Sequence, residues 1–176
     1  MRRSSRVVVA VAAGLLVLTG CSWSKASVAA EVGGTVISTA SVDAKVDAIK
    51  KMLVQSGQQP ATQLATTVVT NQVFNAVVEQ AEAAGTLTVP SDVITQVINS
   101  DEVLKMLAAD PETAGLAEAS ALAYLSQQSP ELNAALASAF AQAKVTFNPR
   151  YGISFDPEAG FVPTDNSLSQ LFSPAG

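Results

Sequence analysis

The chain has 176 residues, 48% hydrophobic, 14% charged and 5% aromatic, with 10 basic against 15 acidic side chains and a net charge of −5. That apolar content, inflated by the N-terminus, suits one folded domain with a tail rather than a disordered chain, and an acidic chain without basic clusters is a poor nucleic-acid binder. There is no histidine and a single cysteine, which removes histidine acid–base and triad catalysis, histidine or cysteine-rich metal sites, and any intramolecular disulfide.

Residues 1–20 read as an address. Arg2, Arg3 and Arg6 form a positive start, and Val7 to Leu18 is an unbroken run of 12 apolar or small residues, the pattern of a secretory signal peptide. The run is shorter than the roughly 20 residues that span a bilayer. It ends in Leu18-Thr19-Gly20-Cys21, which resembles a bacterial lipobox: small residues leave the backbone open to a peptidase, and the thiol of Cys21 carries a diacylglycerol. An ordinary secretory signal would share the first two features, but here the only cysteine falls at the required spot. Arg2-Arg3 also fits twin-arginine export, so the export route stays open. Cleavage between Gly20 and Cys21 would remove three arginines and take the net charge from −5 to −8. Two or more acyl chains hold a protein stably on a membrane. The expected location is therefore the extracytoplasmic face of the cell membrane. Residues 21–27 serve as lipidated cysteine and tether, in which Trp23 either sits at headgroup level or is an incidental linker residue.

The mature chain predicts a short hairpin, then helices, then one strand. Val28 to Val32 and Thr35 to Ile37 flank Gly33-Gly34, a two-residue turn signal. Ser38 or Ser41 caps a helix whose apolar stripe is Val42, Val46, Ile49 and Leu53. A longer helix runs from about Thr62 to Ala84, with Leu64, Val68, Val73, Phe74, Val77, Val78 and Ala81 inward and Gly85 past its end. Thr86 to Pro90 is an extended connector. Ser91 is expected to cap a helix burying Val93, Ile94, Val97 and Ile98. Asp101 to Ala109 is a short helix with Val103, Leu104 and Leu107 inside. Glu112 to Gln128 and the segment opened by Ser129-Pro130 are helices too. Lys144 to Phe147 alternates as a half-buried strand. From Asn148 on, periodicity is lost, and 161–176 is expected to be a disordered tail.

Val32-Gly33-Gly34-Thr35-Val36-Ile37-Ser38 with its following helix, the Ala83-Ala84-Gly85 helix end and the Thr88-Val89-Pro90-Ser91-Asp92 entry resemble the opening of SurA-type extracytoplasmic chaperones. Asn148-Pro149-Arg150-Tyr151-Gly152 after Val145-Thr146-Phe147, with Asp156-Pro157 and Gly160, resembles the ending of actinobacterial lipoproteins with a SurA N-terminal-like domain. The resemblance covers most of residues 28–160. It implies a mainly α fold closed by a small sheet in which the first and last strands pair, so Val145 and Phe147 would lie against Val28 to Val32. Many relatives carry a parvulin-type prolyl isomerase domain before the final strand. Helices fill that gap here and histidines are absent, so isomerase activity is not carried over. The remaining role is weak, non-catalytic binding of unfolded or extended polypeptide.

Phe74, Val77 and Val78 either line a peptide-binding groove or are ordinary core. Arg150 and Tyr151 either contact a ligand or form a structural clasp, with Arg150 on carbonyls or a carboxylate. The carboxylates of Asp101-Glu102 and Asp110 to Glu112 lack EF-hand spacing and suit helix N-termini better than calcium. Few aromatics are present for a sugar cleft. No enzyme activity, cofactor or metal is expected. The partners are a membrane through the lipid anchor and either unfolded polypeptides or, as an accessory lipoprotein, one envelope protein.

Overall fold

Gly33 and Gly34 have φ of 53° and 92°, values that a tight hairpin turn demands and that glycine adopts without a Cβ clash. They join β1 (Val28–Val32) to β2 (Thr35–Ser38), with Glu31 opposite Val36, Val32 opposite Thr35 and a bulge between Val28 and Ala30. The computed structural model describes residues 26–59, 61 and 63–164. The proposed signal peptide 1–20, Cys21, most of the 21–27 tether, Thr62 and the 165–176 part of the expected tail lie outside them.

Of the two candidate caps, Ser38 is the one used: its Oγ accepts the Ser41 N–H at 3.0 Å and starts α1 (Thr39–Gln55). Next come α2 (Leu64–Ala83), α3 (Ser91–Ser100), α4 (Glu102–Ala108), α5 (Ala114–Gln128) and α6 (Pro130–Gln142). Asp101 caps α4 by accepting from Val103 and Leu104. Ser129 caps α6, with Pro130 in its first turn. Ser91 departs from expectation: it is already helical, follows Pro90 and makes no side-chain cap. α5 starts two residues late because Glu112 and Thr113 belong to a turn. There Asp110 Oδ1 accepts the Glu112 N–H at 2.8 Å, and the fully buried Thr113 hydroxyl donates to the Leu107 carbonyl at 2.6 Å.

β3 (Val145–Phe147) runs antiparallel to β1, giving the sheet order β2-β1-β3, with Val145 opposite Val32 and Phe147 opposite Ala30. This is the pairing that the resemblance implied for the first and last strands, although β3 is followed by two further strands. Asn148 locks it. Its backbone N–H donates to the Ala29 carbonyl (2.9 Å), its Nδ2 to the Val28 carbonyl (2.8 Å), and its Oδ1 accepts from the Arg150 N–H (3.1 Å). A 3₁₀ turn, Pro149–Tyr151, follows.

The chain then forms a second sheet that the sequence reading did not anticipate. β4 (Ile153–Asp156) and β5 (Gly160–Pro163) make a hairpin, so the folded domain continues past residue 160 through Pro163, and Phe161 to Pro163 are strand rather than tail. Asp156 Oδ1 accepts the N–H groups of Glu158 (2.8 Å) and Ala159 (3.0 Å) and so builds the turn. Phe155 and Phe161 pack on Phe140 of α6 at centroid distances of 6.0 and 5.8 Å.

Two apolar cores share α2. The first joins the sheet and α1 to Val68, Val69, Val73 and Val77 of α2, with Tyr151 and Ile153. The second joins Val78 and Ala81 of α2 to Leu87, Ile94, Leu122 and Leu136. A helix that is apolar on nearly all sides is one buried on nearly all sides. Val93 and Val103, expected inside, are 41% and 60% exposed. The neighbours Ile94 and Leu104 take the inner positions of their short helices, and the turns that flank those helices set the rotation.

Asn148→Ala should destabilise the domain by about 2 kcal/mol, since it leaves a part-buried carbonyl unsatisfied, whereas Arg150→Ala should cost under about 1 kcal/mol because its ion pair is exposed. Urea unfolding of both variants checks the contrast. The two turn N–H bonds hold the Asp156 carboxyl below its ordinary value of 3.8. A depressed carboxyl contributes stability that is present above its unfolded pKa and fades as pH falls through the folded one. The Phe155 and Phe161 resonances should therefore shift on acidification below about pH 4, and Asp156→Asn should flatten that response.

Candidate functional site

α2 ends where Thr86 and Leu87 turn back to donate to the Ala81 carbonyl, at 2.9 and 3.3 Å, with Gly85 at φ 69° between. Leu87 is buried in the second core and anchors the chain as it leaves the helix. The β-branched Thr88 and Val89, the latter before a proline, favour extended backbone. The connector Thr86–Pro90 lies outside either sheet, and its Val89 carbonyl accepts the Ser91 N–H at 2.9 Å. Among the described residues, the N–H groups of Thr88 and Val89 have no hydrogen-bond partner.

Facing this connector are the C-terminal turn of α5 and the first turns of α6. Between them lies a groove of about 450 Å³, walled by Leu87, Val93, Leu125, Leu132 and Ala135, with Glu131 as its one ionisable lining residue. That volume lies within the range of small-ligand and peptide side-chain pockets. The groove sits at one end of the molecule. α2 starts beside the 3₁₀ turn, where the Thr66 hydroxyl donates to the Tyr151 carbonyl (2.9 Å). It ends past the β1–β2 turn, where Gln80 donates to the Val32 carbonyl (2.8 Å). The groove thus lies beyond the end of β1 that carries Val32, and the start of β1 lies a further strand length, about 14 Å, away.

Charge is divided unevenly along the sequence. Residues 79–143 contain nine carboxylates against Lys105 alone, a net of −8, and the other described residues balance at five against five, with Glu112 reaching across to Lys45 of α1 at 3.7 Å. Lys105 itself is paired with Glu102 at 2.9 Å.

A second hollow, of about 490 Å³, lies on the sheet face away from the helices, lined by Val28, Glu31, Val36, Thr146, Phe147 and Pro149. Although slightly larger, its floor is β1, which is bonded on both sides, and Glu31 occupies its middle. It offers a ligand no free backbone on its central strand, so the groove beside the connector is the better candidate.

The residues singled out from sequence do not converge. Val77 and Val78 are 2% and 7% exposed and belong to the two cores, and Phe74 stacks on Phe140 at 5.4 Å. None of the three lines the groove. Arg150 and Tyr151 lie at the other end of α2 and form a clasp. The Arg150 guanidinium reaches Asp43 at 3.7 Å and covers the Tyr151 ring at 4.9 Å. The backbone carbonyls, however, are bonded by Asn148 rather than by Arg150. Asp101 and Asp110 are engaged as cap and turn acceptors, and among the described residues no cluster of three or more Cys, Asp or Glu is arranged for a metal. Among those residues, too, no helix is long and apolar enough to cross a membrane.

Burial pushes the Tyr151 phenol above its ordinary pKa of 10.0. The buried hydroxyl has no well-formed hydrogen bond among the described residues, and the neighbouring Arg150 guanidinium opposes part of the upward shift. Removing an unpartnered buried hydroxyl is close to neutral. Tyr151→Phe should shift the unfolding midpoint by less than about 0.5 kcal/mol, and a loss above about 1 kcal/mol in denaturant titration would mean the hydroxyl is bonded in solution.

The sequence model of the SurA-like N-terminal domain family matches residues 1–119. No curated protein and no solved structure matches the chain. The matched stretch holds β1, β2, the helices through the first turns of α5 and the connector beside the groove, whereas α6, β3 and the β4–β5 hairpin lie beyond it. With more than half of its length matched, the chain belongs to the SurA-like N-terminal domain family, a chaperone-type family whose members bind polypeptide.

Proposed function

We propose that this chain is a lipid-anchored extracytoplasmic protein that holds unfolded or extended polypeptide and has no catalytic activity. The observation that carries the reading is the groove beside Thr86–Pro90, an apolar cleft with the free N–H of Thr88 on its wall. Extended chains are held in this way, by backbone bonds that are blind to sequence plus pockets for alternate side chains. Family membership supports polypeptide as the ligand class.

The anchor is proposed from Leu18-Thr19-Gly20-Cys21. A tether from Cys21 to Val28 reaches at most about 25 Å. The groove lies at the far end of α2 from the start of β1, so it would open away from the bilayer. The acidic lobe around it would be kept off anionic headgroups. An accessory lipoprotein serving a single folded partner is the other function considered, and it would show one defined stoichiometry instead of broad, weak binding.

Two measurements check this proposal. Cys21→Ser should lose acylation and membrane retention, and a processed variant that still fractionates with membranes overturns the anchor. The intact chain in detergent should slow aggregation of several unrelated unfolded clients. Failure against all of them, with one partner captured by crosslinking in the envelope, would overturn the holding role in favour of the accessory one.

A further inference from the structure

We infer that the groove beside the connector takes an extended segment in which apolar side chains are flanked by lysine or arginine, with a backbone carbonyl on the Thr88 N–H. This rests on the polypeptide-holding reading and specifies its ligand. Three observations converge on it. Of the connector residues with a free N–H, Thr88 lines the groove, so the occupant must present a backbone carbonyl there. The walls are Leu87, Val93, Leu125, Leu132 and Ala135, so the side chains directed inward must be apolar.

Charge supplies the third. Glu131 lines the groove, Glu82 precedes the connector by four residues in sequence and Asp92 follows Pro90 by two. The stretch 79–143 carries a net of −8, with Lys105 paired to Glu102 and Glu112 paired to Lys45 of α1. A field of one sign selects cationic flanks and speeds their encounter.

The test uses the intact chain in a zwitterionic detergent, two fluorescent peptides with the same apolar centre, one flanked by lysines and one by glutamates, and a reduced unfolded protein as a general client. The lysine peptide should bind about tenfold more tightly at low ionic strength, a preference that shrinks as salt is raised. Glu131→Gln should reduce the preference by about threefold. Val93→Ser, at a partly exposed position, should weaken both peptides. Bound peptide should slow amide exchange at Thr88. Equal affinity for the two peptides overturns the proposal, as does binding that leaves that amide unprotected and is unchanged by Glu131→Gln. If the general client still binds in that case, polypeptide holding survives on another surface. If nothing binds, both readings fall.

Discussion

The pairing of β1 with β3 is the constraint on which the rest depends. It joins residues 30–32 to residues 145–147, with all six helices in the loop between. Closing so long a loop carries a large entropic penalty before any contact compensates, and three strand residues are few to meet it. Asn148 enlarges the contact by carrying its two donors to the Val28 and Ala29 carbonyls at the end of the ladder. At the other end, the Gly33 N–H donates to the Lys144 carbonyl at 2.9 Å. The ladder is thus extended at both ends by bonds outside the strands themselves. A small sheet gains bonding without exposing a long edge, which would invite association with other chains.

With the ends closed, α2 organises the interior. Its first half packs on the sheet and its last turns pack on the α3–α6 helices, so one rigid element couples two small cores. The cores are built largely of valine and alanine, which lets helices approach closely. Asn75 Nδ2 reaches the Gly115 carbonyl at 2.7 Å, in a contact where a side chain on Gly115 would be tight. Binding capacity cannot come from such an interior without opening it. The proposed binding site lies where the helical order is interrupted, at the connector, whose Thr88 N–H is free.

Much of the architecture was legible because local chemistry and tertiary structure agree. Gly33-Gly34, Ser38, Asp101 and Ser129-Pro130 act as turn and caps, and the alternation of Val145 and Phe147 matched a strand half-covered by helices. The β4–β5 hairpin escaped because its strands are four residues each and its turn contains Pro157 and Gly160, which read as loss of order. Yet Asp156 followed by Gly160 four residues later was a turn signal in plain view. The inward sides of α3 and α4 were partly misread at Val93 and Val103 because periodicity names a stripe but not its rotation. The candidate binding residues were drawn from α2, where apolar residues on every side leave no face distinguishable as a groove. Thr88 and Val89 were visible as an extended connector. What they contribute, free main-chain N–H groups, has no side-chain signature.

The direction of the strands has a mechanical consequence. The chain enters β1 at Val28, at one end of the molecule, and the groove lies beyond the opposite end of α2. A pull between the N-terminal segment and a ligand in the groove therefore runs roughly along β1, between its two antiparallel neighbours. Bonds on both flanks of β1 resist sliding together rather than opening one after another. Loaded in shear, a short sheet tolerates far more tension than one peeled from an end, so the domain is suited to serve as a link that holds while a chain tugs on it.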